Sequence, residues 1–516
     1  MVNKSKNLWL HQPKIIAILI LSALSFISLA DACSNDPTIS CNNNQTKVLI
    51  GDVLADTTNR DVNKFLGLHA LFWAFQADLY ANTPSKVSPK AVSILKNSGV
   101  GFIRYGGGVN EIDWHGCMGW VMERPKQQLV SWSPPMRCIF GLAEYEQLND
   151  ELNLSSTWHI ANVVGFEGKL KPIEFLAKDA RDRALLIKQL SNGRQRYWEL
   201  GNEIDRDALR WNAAKIIERE LPVAEAIKKS DPDAKLILPL LEYSPPWINN
   251  ANEHNRTLVR AHKQLVNDYA LHLYYDNLPW GPSVANRLAS VRNVSNIIKK
   301  EQINEPGIWI TEHARTPPGT PIEKDWNKGW VQTGNHDAVI ATADFLAGLS
   351  QIPMVRGAAW HGQGLKVGPW TFIDVTQNNE LVDTRISRLY EMLKPLYQYQ
   401  TLFTSTSTIS EPNLPGNYAV RATAFSDKND KTNTKYIVWL INRSNKPQKV
   451  TLSKKSFAQS GLIKIEQTNM TQTYDTTMPP ANLPVLKLSI KPVNGEINVD
   501  LAERSVVLVN ITQVNK

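Results

Sequence analysis

The chain has 516 residues, 42% of them hydrophobic and 21% charged, with a formal net charge of +8. That length exceeds one ordinary domain, and the composition is that of a globular protein with an ample core, which excludes a disordered or fibrous chain. The positive charge forms no Arg/Lys stripe interleaved with aromatics, so no nucleic-acid partner is expected.

The N-terminus reads as an export signal. Lys4, Lys6 and Lys14 precede the apolar run Ile15–Ala30, and Ala30–Asp31–Ala32 has the small-x-small form of a cleavage site. Residues 1–32 are therefore assigned to the signal, with a retained anchor as the alternative, the run being long for a signal and short for a full span. Cleavage would remove three Lys and one Asp, lowering the net charge from +8 to +6, and would leave a secreted or periplasmic chain with no stable membrane insertion. Four cysteines allow three full pairings. In an exported protein the local pairs Cys33–Cys41 and Cys117–Cys138 are the simplest. No CxxC and no HExxH occurs in the sequence, so neither a metal nor another cofactor is expected.

Residues 33–62 form a segment whose stretch TKVLIGDVL is predicted to lend a strand to the C-terminal part. From residue 63 to 398 short apolar runs alternate with amphipathic stretches. The predicted strands are Lys64–Ala70, Gly101–Gly107, Ser156–Val164, Arg196–Asn202, Lys235–Glu242, Tyr269–Tyr275, Gly307–His313 and Val355–His361. Each is too short and too apolar for a half-exposed antiparallel strand. Helical spacing marks most of the intervals, as in IEFLAKDARDRALLIKQL and HDAVIATADFLAGLS. Eight strands alternating with helices predict an α/β fold, a (β/α)8 barrel. No Gly-rich dinucleotide loop follows any strand, which disfavours the open doubly wound sheet. From 399 to 516 the texture changes to alternating strands separated by Asn, Asp, Lys and Pro turns, a small antiparallel β-sandwich.

In such a barrel the C-terminal ends of the strands face the active site. That rule gathers Arg104, Asn202, Glu203, His272, Tyr274, Glu312, His361 and Gln363. Glu203 and Glu312 stand 109 residues apart yet end strands four and seven, and paired carboxylates suit glycoside hydrolysis: one donates a proton to the leaving oxygen, the other attacks the anomeric carbon. Arg104 is placed either to hold a nucleophile ionised or to pair with Glu199 inside the barrel. Trp360 is placed either to stack on a sugar face or to pack in the core. Trp114, Trp120 and Trp132, in the loop that carries Cys117 and Cys138, are expected to shape the cleft. Asp205 is expected to do no more than start a helix.

These segments resemble a known family. Trp198–Glu203 (WELGNE) resembles the strand-four motif of clan A retaining glycoside hydrolases. FIRYGGG, HLYY and IWITEH resemble segments of the α-L-arabinofuranosidases of family 51. The resemblance implies a barrel with a C-terminal β-sandwich and an oligo- or polysaccharide substrate. It implies Glu203 as acid/base and Glu312 as nucleophile, with Asn202 on the sugar hydroxyl beside the anomeric carbon. His272 and Tyr274 would orient the carboxylates, and Arg104 would contact Glu312. Three positions depart from the pattern: Gly106 stands where the family has Pro, Val109 displaces Asn110, and His313 follows Glu312 in place of Trp. WELGNE also resembles the β-glucuronidase and heparanase-like enzymes of the clan. A glucuronidase, a β-xylosidase and a catalytically inactive carbohydrate-binding barrel are the alternative readings.

Overall fold

The computed structural model describes residues 35–514 except 43, 55–63, 71–86, 107–112, 128–133, 167–168, 205–208, 277–281, 302–304, 318–325, 363–369, 379, 431 and 433. The signal over 1–32, Cys33, Trp132, Asp205 and Gln363 lie outside the described residues.

Eight parallel strands close into a barrel: β1 (Leu66–Ala70), β2 (Phe102–Tyr105), β3 (Ser156–Ala161), β4 (Gln195–Leu200), β5 (Lys235–Pro239), β6 (Asp268–Tyr275), β7 (Gly307–Arg315) and β8 (Val355–His361). Each predicted strand is present. A helix follows each strand: α1 (Pro89–Ser98), α2 (Leu142–Glu151), α3 (Ile173–Leu190), α4 (Ala213–Ser230), α5 (Ala251–His262), α6 (Val284–Glu301), α7 (His336–Ser350) and α8 (Arg385–Leu393). Local chemistry sets their ends. The Ser88 hydroxyl caps α1 by accepting from the Lys90 N–H, Pro89 takes the first turn, and Gly99 closes the helix at φ 71°.

Alternation along the strands splits the barrel into two layers. Phe102, Trp158, Ile237, Ala270, Trp309 and Ala359 fill the barrel interior, with Trp158 stacked on Tyr197 at 4.3 Å. This plug forms the floor on which the polar strand ends rest. The opposite faces pack against the helices.

Helix α2 escapes a reading by apolar spacing because its buried face carries Glu144, Glu146 and Asn149 beside Leu142, Tyr145 and Leu148. Each acid is satisfied: Glu144 by Arg124 at 2.7 Å and the Gly141 N–H at 2.8 Å, Glu146 by Thr157 at 2.6 Å and Arg194. Cys117 and Cys138 form a disulfide across the loop that precedes α2. Cys41 is also disulfide-bonded.

The strands after residue 398 form one mostly antiparallel sheet, with the N-terminal strand Thr46–Val53 inserted between Tyr399–Ile409 and Gln448–Ser453. Its strands share a core that includes Val48, Ile50, Val420, Val450, Ile463, Ile497 and Val509. Helix α7 lies between barrel and sheet and is apolar on nearly all sides, as a helix covered all round must be. Charge locks the contact. Asp344 of α7 receives Arg421 at 2.5 Å together with Arg443 and Tyr418, while Arg421 also reaches Asp36 at 2.7 Å and Arg443 reaches Asp276, just past β6, at 2.9 Å. No helix among the described residues is long and apolar enough to cross a membrane.

Candidate active site

The C-terminal ends of six strands bring one polar cluster together. β1 supplies His69, β2 Arg104, β4 Glu199 and, in the turn beyond it, Asn202 and Glu203. β6 supplies His272 and Tyr274, β7 Thr311 and Glu312, and β8 His361.

Glu312 reaches this cluster through an irregularity in β7. Trp309 faces the barrel interior, so strict alternation would turn Thr311 and His313 inward and Glu312 outward. Instead Leu271 pairs with Ile310 but His272 pairs with Glu312, and β7 carries one extra residue against β8 as well. Such a bulge re-aims the side chains beyond it. Thr311 and Glu312 both face inward, the Thr311 hydroxyl donating to Glu199 at 3.2 Å, while His313 turns outward against Phe345 and Trp360.

Five groups surround the Glu312 carboxylate. Arg104 Nη1 donates to Oε1 at 2.9 Å and the Tyr274 hydroxyl donates to Oε2 at 2.7 Å. Nδ1 of His69 lies 3.1 Å from Oε1, and Nδ1 of His361 and of His272 lie 3.1 and 3.3 Å from Oε2. Burial favours the protonated acid, but the neighbouring His272 charge and the hydrogen bonds outweigh it and hold the carboxyl well below its ordinary range. Arg104 is the hub. It grips Glu199 at two points, Nε to Oε2 at 2.6 Å and Nη2 to Oε1 at 3.0 Å, and donates to Asn202 Oδ1 at 2.6 Å. Arg104 thus contacts both Glu199 and Glu312.

Glu203 sits differently. Its side chain is 24% exposed against 4% for Glu312. The turn that carries it is tight: Gly201 at φ 89° leaves no room for a Cβ, which would meet Val163 at 2.8 Å and Ile204 at 2.9 Å. Glu203 itself takes φ 48°, a left-handed conformation that costs energy in a residue with a side chain. His272 Nδ1 lies 3.2 Å from Glu203 Oε1, and its Nε2 lies 3.5 Å from Glu199. Burial disfavours the imidazolium, but Glu312 and the hydrogen bonds to Glu199 and Glu203 outweigh it, raising its pKa to about 10. A carboxylate oxygen of Glu203 and one of Glu312 lie within 4.8 Å of each other.

Of the residues expected here, Arg104, Asn202, Glu203, His272, Tyr274, Glu312 and His361 meet. Trp360 does not: the residues on either side of it, Ala359 and His361, point inward, so Trp360 points outward and is fully buried in the layer between strands and helices. Its expected place on a sugar face is corrected to core packing. Trp114 donates to Asp179 of α3 at 2.9 Å and is also buried, whereas Trp120 is exposed. Two site residues escape the sequence reading. His69, one residue from the end of β1, meets the same strand-end rule as the others. Trp370 lies on no strand; its ring centroid is 5.2 Å from that of Tyr274 and 4.8 Å from that of His361, and it stays partly exposed.

The sequence matches no protein-family model and no curated protein. The fold is similar to solved structures. A family 51 α-L-arabinofuranosidase from Bifidobacterium longum aligns with a TM-score of 0.69 at 14% identity over 92% of this chain and 100% of that one. An α-L-arabinofuranosidase from Thermotoga maritima, solved with arabinose, aligns at 0.68 and 13% over 91% and 99%. The two alignments cover about nine-tenths of this chain and nearly all of each neighbour. The fold is theirs. A family 30 subfamily 8 xylanase from Clostridium acetobutylicum is more distant, at a TM-score of 0.52 and 14% identity over 91% and 100%. At these identities the likeness concerns the fold, and chemistry has to be argued from the site.

Proposed function

We propose that the protein is an exported retaining glycoside hydrolase that removes α-L-arabinofuranosyl units from oligo- or polysaccharides. The observation that carries this reading is the approach of Glu203 and Glu312 to within 4.8 Å. Retaining enzymes hold their carboxyl groups about 5–5.5 Å apart, and inverting enzymes leave about 6.5–9.5 Å for a water.

The different surroundings of the two acids divide the roles. Glu312, buried and gripped by Arg104, Tyr274 and the histidines, is the ionised nucleophile. Glu203, more open, is the acid/base. In the first step Glu203 protonates the glycosidic oxygen as Glu312 Oε attacks the anomeric carbon; the bond to the leaving group breaks and a glycosyl ester forms. In the second, Glu203 takes a proton from water, the water oxygen attacks the same carbon, and Glu312 departs as carboxylate. Asn202, its Oδ1 held by Arg104, presents its amide to the hydroxyl next to the anomeric carbon. Trp370 offers a flat apolar wall for the sugar. The choice of sugar rests on the sequence resemblance to family 51 and on the fold. Export is supported by the signal-like N-terminus and the Cys117–Cys138 disulfide.

A panel of aryl glycosides tests this, with arabinofuranoside expected to be the best substrate ahead of xyloside and glucuronide. Glu312→Ala should lose turnover by on the order of 10⁴-fold, and azide should restore part of it while giving a glycosyl azide of inverted configuration. Near-normal turnover by that variant would remove Glu312 as nucleophile, and inactivity on every glycoside would favour a binding protein.

A further inference from the structure

A pocket of about 540 Å³ lies on the same face of the barrel as the two carboxylates. Its walls come from the segments that follow β7 and β8, which belong to the catalytic face, and from Thr476 of the C-terminal sheet. Trp370 joins it to the carboxylates. The Trp370 ring packs on Tyr274 and His361, while its backbone N–H donates to the Thr333 hydroxyl at 2.8 Å. Thr333 and Thr371 both line the pocket, and the Thr333 hydroxyl in turn donates to the Trp330 carbonyl at 2.6 Å. Trp370 takes φ 67°, a left-handed conformation that is costly for a bulky residue. Its bonds to Thr333 and to the Arg315 carbonyl hold it there, so the ring is fixed where the two spaces meet.

We propose that this pocket is a second saccharide subsite, which binds a glycosyl unit of the chain that carries the cleaved sugar. The choice of ligand rests on the glycosidase reading above, and the lining fits it. Arg385 lines the pocket, and its Nη1 is buried with no hydrogen-bond partner among the described residues. A buried N–H without an acceptor is costly, and a guanidinium donor calls for an oxygen. Asp374, exposed in the same lining, offers a carboxylate, whereas Asp383 is already paired with Arg388 at 3.0 Å. Trp330 and Val331 add partly and fully exposed apolar surface. A sugar ring suits this mixture, since its hydroxyls accept from Arg385 and donate to Asp374 while its C–H face covers the apolar side chains. An anion would meet Asp374, a cation would meet Arg385, and a wholly apolar ligand would leave both unpaired. The volume falls within the range of about 300–1,000 Å³ found for small-ligand pockets.

Arg385→Ala, Asp374→Ala and Gly334→Phe test the subsite in the full-length protein. Gly334 lines the pocket, and a Cβ there would meet no atom within 4 Å, so a side chain enters without displacing the wall. Two oligosaccharides, arabinohexaose and an arabinofuranosyl-substituted xylohexaose, are compared with 4-nitrophenyl arabinofuranoside, which carries no second glycosyl unit. On the better oligosaccharide each variant should lose about 10-fold or more in kcat/KM, the effect of one hydrogen bond to a charged group. On the aryl glycoside each should stay within about twofold of wild type. Equal losses on both kinds of substrate, or no loss on either, overturn the subsite. If Arg385→Ala fails to fold, the other two variants decide. Calorimetry separates the pocket from catalysis. In a Glu312→Gln background one of the two oligosaccharides should bind saturably, and Gly334→Phe should weaken that binding by about 10-fold or more. No saturable binding of either below about 10 mM, or binding unchanged by Gly334→Phe, removes the subsite. Failure of the wild type to hydrolyse any glycoside counts against the proposed function, and the calorimetry then still decides the pocket.

Discussion

Arg104 and Glu199 form a two-point ion pair at the floor of the site, Nε to Oε2 at 2.6 Å and Nη2 to Oε1 at 3.0 Å, with both side chains about 1% exposed. The pair sits on the aromatic plug of the barrel and fixes the guanidinium plane, from which Arg104 reaches Asn202 and Glu312. A fork of this kind is something lysine cannot reproduce.

Arg104→Met should destabilise the fold by about 3–5 kcal/mol, because it strands two buried carboxylates. Urea unfolding at neutral pH measures this. The pair holds the Glu199 carboxyl below its ordinary value: burial opposes ionisation, but the Arg104 charge and His272 outweigh it. The stability that Glu199 contributes is therefore present above the unfolded carboxyl pKa and fades as pH falls through the lower folded value. The gap between wild type and variant should close in acid, and a gap independent of pH would contradict the assignment.

Tyr274→Phe removes the hydroxyl that donates to Glu312 Oε2 at 2.7 Å. Hydrogen bonds to charged groups contribute about 1.5–3 kcal/mol, so kcat/KM should fall roughly 10- to 100-fold. With a donor to its ionised form gone, Glu312 should titrate higher, and the acidic limb of the pH–rate profile should move up. An unmoved limb would show that Arg104 and the histidines hold the charge without it.

His272 gives the opposite pH signature. Its folded pKa of about 10 lies above the ordinary 6.5, so its contribution to stability is complete below about pH 6.5 and is lost as pH rises toward 10. Thermal melts of wild type and His272→Asn should converge across that window, the wild type losing on the order of a few kcal/mol more. Parallel curves would refute the raised value.

Cys117 and Cys138 are 21 residues apart. Closing a loop of that length restricts the unfolded chain by about 3 kcal/mol. The double substitution to Ser should lower the melting temperature accordingly, and dithiothreitol should do the same to the wild type.

Much of the site is legible from one rule, that the ends of barrel strands converge. It placed Arg104, Asn202, Glu203, His272, Tyr274 and Glu312 without reference to distance. Apolar spacing failed at α2, whose interior face is built from acids that Arg124, Thr157 and Arg194 satisfy; only the partners, remote in sequence, make such a face buriable. Trp360 was ambiguous because a tryptophan at a strand end packs or stacks according to parity, and parity is a property of the neighbouring strands. Trp370 belongs to no periodic element and joins the site through its N–H to the Arg315 carbonyl at 2.7 Å. The ion network of Asp344, Arg421 and Arg443 likewise joins residues whose types alone suggest solvated surface.

The bulge at Thr311 carries a consequence for lineage and for engineering. Because β7 holds one residue more than β6 between Ile310 and Glu312, the facing of the Glu312 carboxylate depends on a residue count as well as on residue type. Deleting Thr311 would restore strict alternation, with Trp309 in, Ile310 out and Glu312 in, so the carboxylate would keep its facing and the Thr311 hydroxyl on Glu199 would be lost. A chain one residue shorter at this point would keep the same facing, so an alignment gap opposite Thr311 does not by itself mark a lost carboxylate.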